Sequence, residues 1–226
     1  MYITKTIILL CLMNIQTIFT IQENLMTKKE FVAELYKIGA IQFGEFTYVS
    51  GLKAPNYIDL RRLMSFPYML KAATDLLWQD IKHCRFDYIT GVPYAALPLA
   101  SSLAVTHDIP MIMPRKERKS HGTKQLIEGV FDAGKTCLLI EDLFTSGGST
   151  LDTIAVLQEN GLAVTDIAII LDREQGGKEN IEKRGYHVHA LFTMSELADI
   201  LTDLNLINSE LAHATKCFSQ QNRIVL

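Results

Sequence analysis

The sequence predicts a single α/β domain with a mainly parallel central sheet flanked by helices. Residues 137–140 and 167–171 are apolar at every position and 86–91 at most of theirs, the pattern of strands covered on both faces. Helical spacing returns between these runs, so strands and helices alternate. No internal repeat, low-complexity stretch or linker interrupts them, and 226 residues suffice for one full core rather than two.

Residues 1–25 form an apolar N-terminal extension in which Lys5 and Glu23 are the only charges, and Thr, Asn and Gln interrupt it. It lacks a strong positive n-region and an A-x-A-like cleavage site. It reads as a segment that the fold does not need, with a signal peptide as the second reading. The working domain is expected over residues 26–226.

Thr27 and Glu30 have capping-box spacing, and Phe31, Val32, Leu35 and Ile38 follow at helical intervals before Gly39. Residues 43–57 read as two short strands around Ser50-Gly51, and residues 68–81 as a helix. Next come a strand ending in Gly91-Val92-Pro93, a helix over 95–106 and a short strand at 110–113. Residues 114–126 form a polar, strongly basic loop. The strand at 137–140 leads to a helix over 149–160 that Gly161 stops. The strand at 167–171, a helix from Lys178, a strand at 186–192 and two further helices complete the chain.

Apolar residues make up 48% of the chain and charged residues 21%, an ordinary globular composition. A net charge of −3 gives no general pull toward nucleic acid or membrane surfaces, so an anion site has to be local. The four cysteines, Cys11, Cys84, Cys137 and Cys217, form no CxxC pair. Cys84 and Cys137 stand among apolar neighbours and read as small buried residues of a reduced, cytoplasmic protein. His187 and His189 lie two apart on a strand and face the same way. With no third ligand nearby in the sequence, they read as ordinary strand residues.

The chemistry concentrates in residues 136–150. An apolar strand emerges at Glu141-Asp142, after which the chain turns through Thr145-Ser146-Gly147-Gly148 and enters a helix near Ser149. Glycines let backbone N–H groups converge, and a helix start adds partial positive charge, so the turn suits a phosphate. The two acids carry the wrong charge for that phosphate. A ligand satisfying both needs a phosphate and, a few ångströms away, hydroxyls or a metal ion; ribose 5-phosphate fits. The pattern is neither GxxxxGK[ST] nor GxGxxG. A plain strand-to-helix turn would explain the glycines but not the adjacent acids.

This stretch resembles the phosphoribosyl diphosphate (PRPP) signature of type I phosphoribosyltransferases. Four more segments narrow the resemblance to the orotate phosphoribosyltransferases: Phe43-Gly44-Glu45-Phe46 with Ser50-Gly51 and Pro55; Gly91-Val92-Pro93-Tyr94; Arg115-Lys116 with Lys119 and His121-Gly122; and Leu171 to Gly177, DREQGG after the leucine. They stand in the family's order across roughly residues 27–220. The resemblance implies a type I phosphoribosyltransferase fold with a small N-terminal hood, and transfer of ribose 5-phosphate from PRPP to orotate in pyrimidine biosynthesis.

By the same resemblance, PRPP is held by Tyr94, Arg115, Lys116, Lys119, His121 and the run from Glu141 through Asp142, Leu143, Phe144, Thr145, Ser146, Gly147 and Gly148 to Ser149. Lys119, Arg115, His121 and Asp142 are the implied catalytic residues, with Lys119 the catalytic lysine. Orotate is placed against Tyr57, Ile58, Thr145 and Arg173. Magnesium is expected mainly through PRPP oxygens, with no dedicated protein ligands. A homodimer is implied, the basic loop reaching the partner's site, with neither nucleic acid nor membrane as partner. Val49 stands where bacterial members usually carry lysine, and Ala95 where many do. The length leaves no room for a decarboxylase after the transferase. Transfer to another base, and PRPP binding without catalysis, are the competing readings.

Overall fold

A computed structural model describes residues 25–47, 51–116 and 126–226. The extension up to residue 24, Val49, Lys119 and His121 lie outside the described residues.

The chain enters through helix α1 (Lys28–Lys37), fixed by the predicted capping box: Thr27 accepts from the Glu30 amide while Glu30 accepts from the Thr27 amide. Strands β1 (Ile41–Thr47) and β2 (Lys53–Ile58) pair antiparallel as the hood hairpin. A 3₁₀ turn (Leu60–Ser65), which the sequence reading did not anticipate, leads into α2 (Pro67–Ile81). Then come β3 (Tyr88–Gly91), α3 (Leu97–His107), β4 (Met113–Pro114), β5 (Ile127–Glu128) and β6 (Thr136–Phe144). The strand expected at 110–113 is smaller than that: Met111 makes one isolated bridge to Ile89, and β4 pairs antiparallel with β5.

After β6 follow α4 (Gly148–Glu159), β7 (Ala163–Asp172), α5 (Gly177–Glu182), β8 (His187–Thr193), α6 (Met194–Asp203) and α7 (Ser209–Gln221). The central sheet has the order β3-β6-β7-β8, all parallel. Its strands explain the continuous apolar runs. Leu138 and Ile140 of β6, with Ala168 and Ile170 of β7, face one core shared with α1, α2, α3 and α6. Cys137 and Leu139, with Ile167 and Ile169, face a second core shared with α4 and α5. Alternate residues of one strand therefore enter opposite cores, and neither face can be polar.

Cys137 is fully buried, as read from sequence, and burial pushes its thiol up to about 12. Cys84 is only half-buried, and its sulfur lies against Asp166 and His189 rather than apolar side chains alone. Among the described residues, no helix is long and apolar enough to cross a membrane.

Candidate active site

Strand β6 runs further than the apolar stretch suggests, carrying both acids and ending at Phe144, opposite Asp172 of β7. Alternation separates the two acids. Glu141 is 4% exposed, whereas Asp142 is half-buried. The Glu141 carboxylate accepts from Thr150 Oγ1 at 3.2 Å, from Ser149 Oγ at 3.5 Å and from the Asp142 amide at 3.1 Å. Burial and, next, the Asp142 carboxylate push the Glu141 carboxyl up to about 9.

Between strand and helix the backbone turns at Gly147, the N-cap of α4, with φ +82°. A Cβ there would sit 3.1 Å from Ile181 Cγ1 and 3.2 Å from the Gly177 carbonyl oxygen, so glycine is required by conformation and by space. The Leu151 amide bonds the Gly147 carbonyl, so the amides of residues 148–150 stand before the helical ladder begins. Gly148 and Ser149 belong to the wall of a cavity of about 350 Å³ lined by Glu141 through Ser149. Ile58, Asp59, Leu60, Arg61 and Ala95 close its other sides. Arg61 Nε donates to Asp59 Oδ1 at 2.6 Å, and this ion pair keeps the Asp59 carboxyl below the usual carboxylate range.

The loop is held from behind by the turn after β7. Asn180 of α5 donates Nδ2 to the Ser146 carbonyl at 3.0 Å and to the Ile224 carbonyl at 2.9 Å, while its Oδ1 accepts from the Leu226 amide at 3.2 Å. The chain end is thereby tied to the back of the loop.

Two more cavities flank this one. Thr145 also lines a cavity of about 520 Å³ with Arg173, Gln175 and Leu52. On the other side, Ser149 lines a cavity of about 360 Å³ with Val92, Pro93, Arg115 and Lys116. Tyr94 follows a cis peptide bond after Pro93 and is 62% exposed, with Lys116 Nζ 5.3 Å from its ring centroid. Arg115 donates to Glu128 at 2.9 Å. Tyr57 stacks on Phe46, and its neighbour Ile58 faces the central cavity. The acids beside Arg173 have backbone partners: Asp172 accepts from the Glu174 amide at 2.9 Å and Glu174 from the Ser195 amide at 2.7 Å.

The sequence-predicted run 141–149 thus lines one cavity, with Arg173 in one neighbouring cavity and Arg115 and Lys116 in the other. Tyr57 and Tyr94 stand beside these cavities rather than in their walls. Sequence reasoning missed Asp59, Arg61, Thr150 and Asn180. Asp59 is the N-cap of the unpredicted 3₁₀ segment and Arg61 sits on it. The signal for Thr150 was its spacing of nine from Glu141, which only the strand–turn–helix geometry converts into contact.

A phosphate-sized cradle, paired acids and flanking cations at the carboxyl ends of a parallel sheet define an α/β domain for a phosphorylated, hydroxylated ligand. The profile of the phosphoribosyl transferase domain matches residues 61–191. The chain is 41% identical over 203 residues to an orotate phosphoribosyltransferase of Caenorhabditis elegans, covering 89% of this chain and 87% of that protein. It is 45% identical over 196 residues to a uridine 5′-monophosphate synthase of Bos taurus, where 86% of this chain spans 41% of the relative's length. The crystal structure of orotate phosphoribosyltransferase from Aeropyrum pernix superposes with a TM-score of 0.68 at 32% identity, covering 79% of this chain and 99% of that one. The chain belongs to the orotate phosphoribosyltransferases of the phosphoribosyltransferase family.

Proposed function

We propose that this chain transfers the ribose 5-phosphate of PRPP to orotate, giving orotidine 5′-monophosphate and pyrophosphate in pyrimidine biosynthesis. The observation that carries this reading is the sharing of loop residues among three cavities: Thr145 borders the Arg173 side, Ser149 the Arg115–Lys116 side, and both border the centre. A ligand with three parts, one anionic at each end, matches that layout.

In this reading the amides and hydroxyls of residues 145–149 hold the 5-phosphate. Asp142, with Glu141 behind it, takes the ribose hydroxyls. The Arg173 guanidinium suits the orotate carboxylate, with Tyr57, Ile58 and Thr145 around the ring. Arg115, Lys116 and Tyr94, joined by Lys119 and His121, receive the diphosphate. The C1′–N1 bond forms as the C1′–O bond to pyrophosphate breaks, and orotate loses its N1 proton. Positive charge around the departing pyrophosphate and fixed positions for both reactants are what the protein supplies.

The donor set suits magnesium carried by the substrate. Asp142 offers one carboxylate at the cavity, and the buried Glu141 already accepts three protein hydrogen bonds. When bound, the ion neutralises diphosphate charge while substrate oxygens and water fill most of its coordination. A homodimer sharing the basic loop and a cytoplasmic setting complete the proposal.

Orotate loss in the presence of PRPP and magnesium tests it, on protein starting at Met1 and at Met26. Turnover by both forms is expected, with Arg173→Ala losing about 10²-fold in kcat/KM for orotate. Consumption of another base instead, or PRPP binding with no orotate consumed, would overturn it.

A further inference from the structure

At the opposite end of the sheet the fold assembles a group of metal-type donors that the sequence keeps far apart. His83 and Cys84 follow the end of α2, Asp166 lies near the start of β7 and His189 near the start of β8. The donor atoms of His83, Cys84 and His189 all lie within 4.8 Å of one another. His189 Nε2 is 3.5 Å from Cys84 Sγ and 2.8 Å from Asp166 Oδ1, and Cys84 Sγ is 3.6 Å from the same Asp166 oxygen. The sequence reading of His189 lacked a third ligand; the fold brings it Cys84 across 105 residues and Asp166 across 23.

We propose that His83, Cys84 and His189, with Asp166 as the fourth ligand, bind one zinc-class divalent ion that clamps the end of α2 to the amino ends of β7 and β8. Tetrahedral zinc with bonds of about 2.0–2.1 Å to nitrogen or oxygen and about 2.3 Å to sulfur has ligand–ligand edges of roughly 3.4–3.6 Å. Both edges at Cys84 match these values. The His189–Asp166 edge has to open by about half an ångström, and the exposed His83 ring has to swing inward. Two imidazoles, a thiolate and a carboxylate favour zinc over magnesium or calcium, which take oxygen donors. Thr165 Oγ1 donates to Asp166 Oδ2 at 2.8 Å, which leaves Oδ1 oriented toward the cluster. The Cys84 amide donates to the Ile81 carbonyl at 2.9 Å, anchoring the turn that presents the thiol. The phosphate cavity lies at the carboxyl ends of the same strands, so the ion is structural and takes no part in transfer.

Cobalt(II) and zinc(II) titrations of chelator-treated full chain test this. One cobalt per chain is expected, with a thiolate-to-cobalt charge-transfer band and the visible spectrum of a tetrahedral ion. Zinc at a hundredfold excess over its Kd is expected to raise Tm by about 5–10 °C. Cys84→Ala abolishes the band, and His83→Ala, at an exposed position that folding does not need, weakens binding by at least ~10-fold. Cys217→Ala, whose sulfur lies 3.4 Å from His213 elsewhere, leaves the band unchanged. A wild-type protein with no charge-transfer band, or equal affinity in wild type and His83→Ala, would overturn the proposal and leave only a hydrogen-bonded cluster.

Discussion

After β6 the chain leaves the sheet through Gly147 at φ +82° and enters a helix of twelve residues; after β7 it leaves through Gly176 at φ +99° and enters one of six. Acids stand in the last turn-side residues of each strand, Glu141 and Asp142 in β6 and Asp172 in β7, and each turn has a left-handed glycine as N-cap. The first turn faces a cavity. The second is packed shut at its glycines: a Cβ on Gly176 would collide with the Ile224 carbonyl oxygen, and one on Gly177 would lie 2.7 Å from Phe144 Cβ and 2.9 Å from the Thr145 carbonyl. The same local chemistry thus yields a ligand cradle in one place and a buttress in the other. What differs is the element behind each turn. The first rests on the second, and the second rests on the chain end.

If the buttress matters, its glycine should be as sensitive as the cradle's own. Gly177→Ala is expected to lower kcat/KM for PRPP by about 10²-fold by pushing Thr145 forward, comparable to Gly147→Ala, as read by steady-state kinetics. Gly185→Ala is the control, since its φ is +89° but a Cβ there meets nothing within 4 Å. It should cost about 1 kcal/mol of stability and leave kinetics unchanged. Full activity in Gly177→Ala would break the comparison.

Asn180→Ala removes the shared tie between the two turns and leaves the Ser146 and Ile224 carbonyls without that donor. A loss of about 1–3 kcal/mol is expected, seen as a Tm lowered by roughly 2–10 °C, with KM for PRPP raised. A change in stability with no change in KM would show that the tie holds the tail alone.

A pH-dependent effect concerns Glu141. Its carboxyl titrates near 9 in the folded protein against about 4.5 when exposed, so between those values the folded state keeps a proton that the unfolded chain has released. Its contribution to stability is complete below pH 4.5 and declines as pH rises toward 9. Glu141→Gln should flatten that decline and raise Tm at alkaline pH, as measured by thermal melts across the window. An unchanged slope would mean that the proton is not held there.

The sequence made the sheet legible because the middles of β6 and β7, residues 137–140 and 167–171, are buried on both faces and carry no polar residue to mislead. The cradle was legible because glycines, hydroxyls and acids lie contiguous in residues 141–149. The fourfold strand order was not, since nothing in single apolar runs states which neighbours pair. Asp59 and Arg61 escaped because a 3₁₀ segment has no hydrophobic period to announce it, and Asn180 because its partners lie 34 and 44 residues away. The limits of β6 were misjudged for a related reason: Glu141 reads as the end of an apolar strand, yet hydroxyls arriving from α4 let the strand carry an acid indoors.

The carboxyl terminus has a practical side. The Leu226 amide is bonded to Asn180, and a leucine methyl lies 4.0 Å from where a Cβ on Gly148 would stand. Anything appended after Leu226, such as an affinity tag or a fluorescent partner, would start its path against the rear of the anion cradle. Protein carrying its handle at the amino end is therefore the preparation on which substrate affinities should be measured, and a carboxyl-terminal fusion becomes a probe of that contact rather than a neutral convenience.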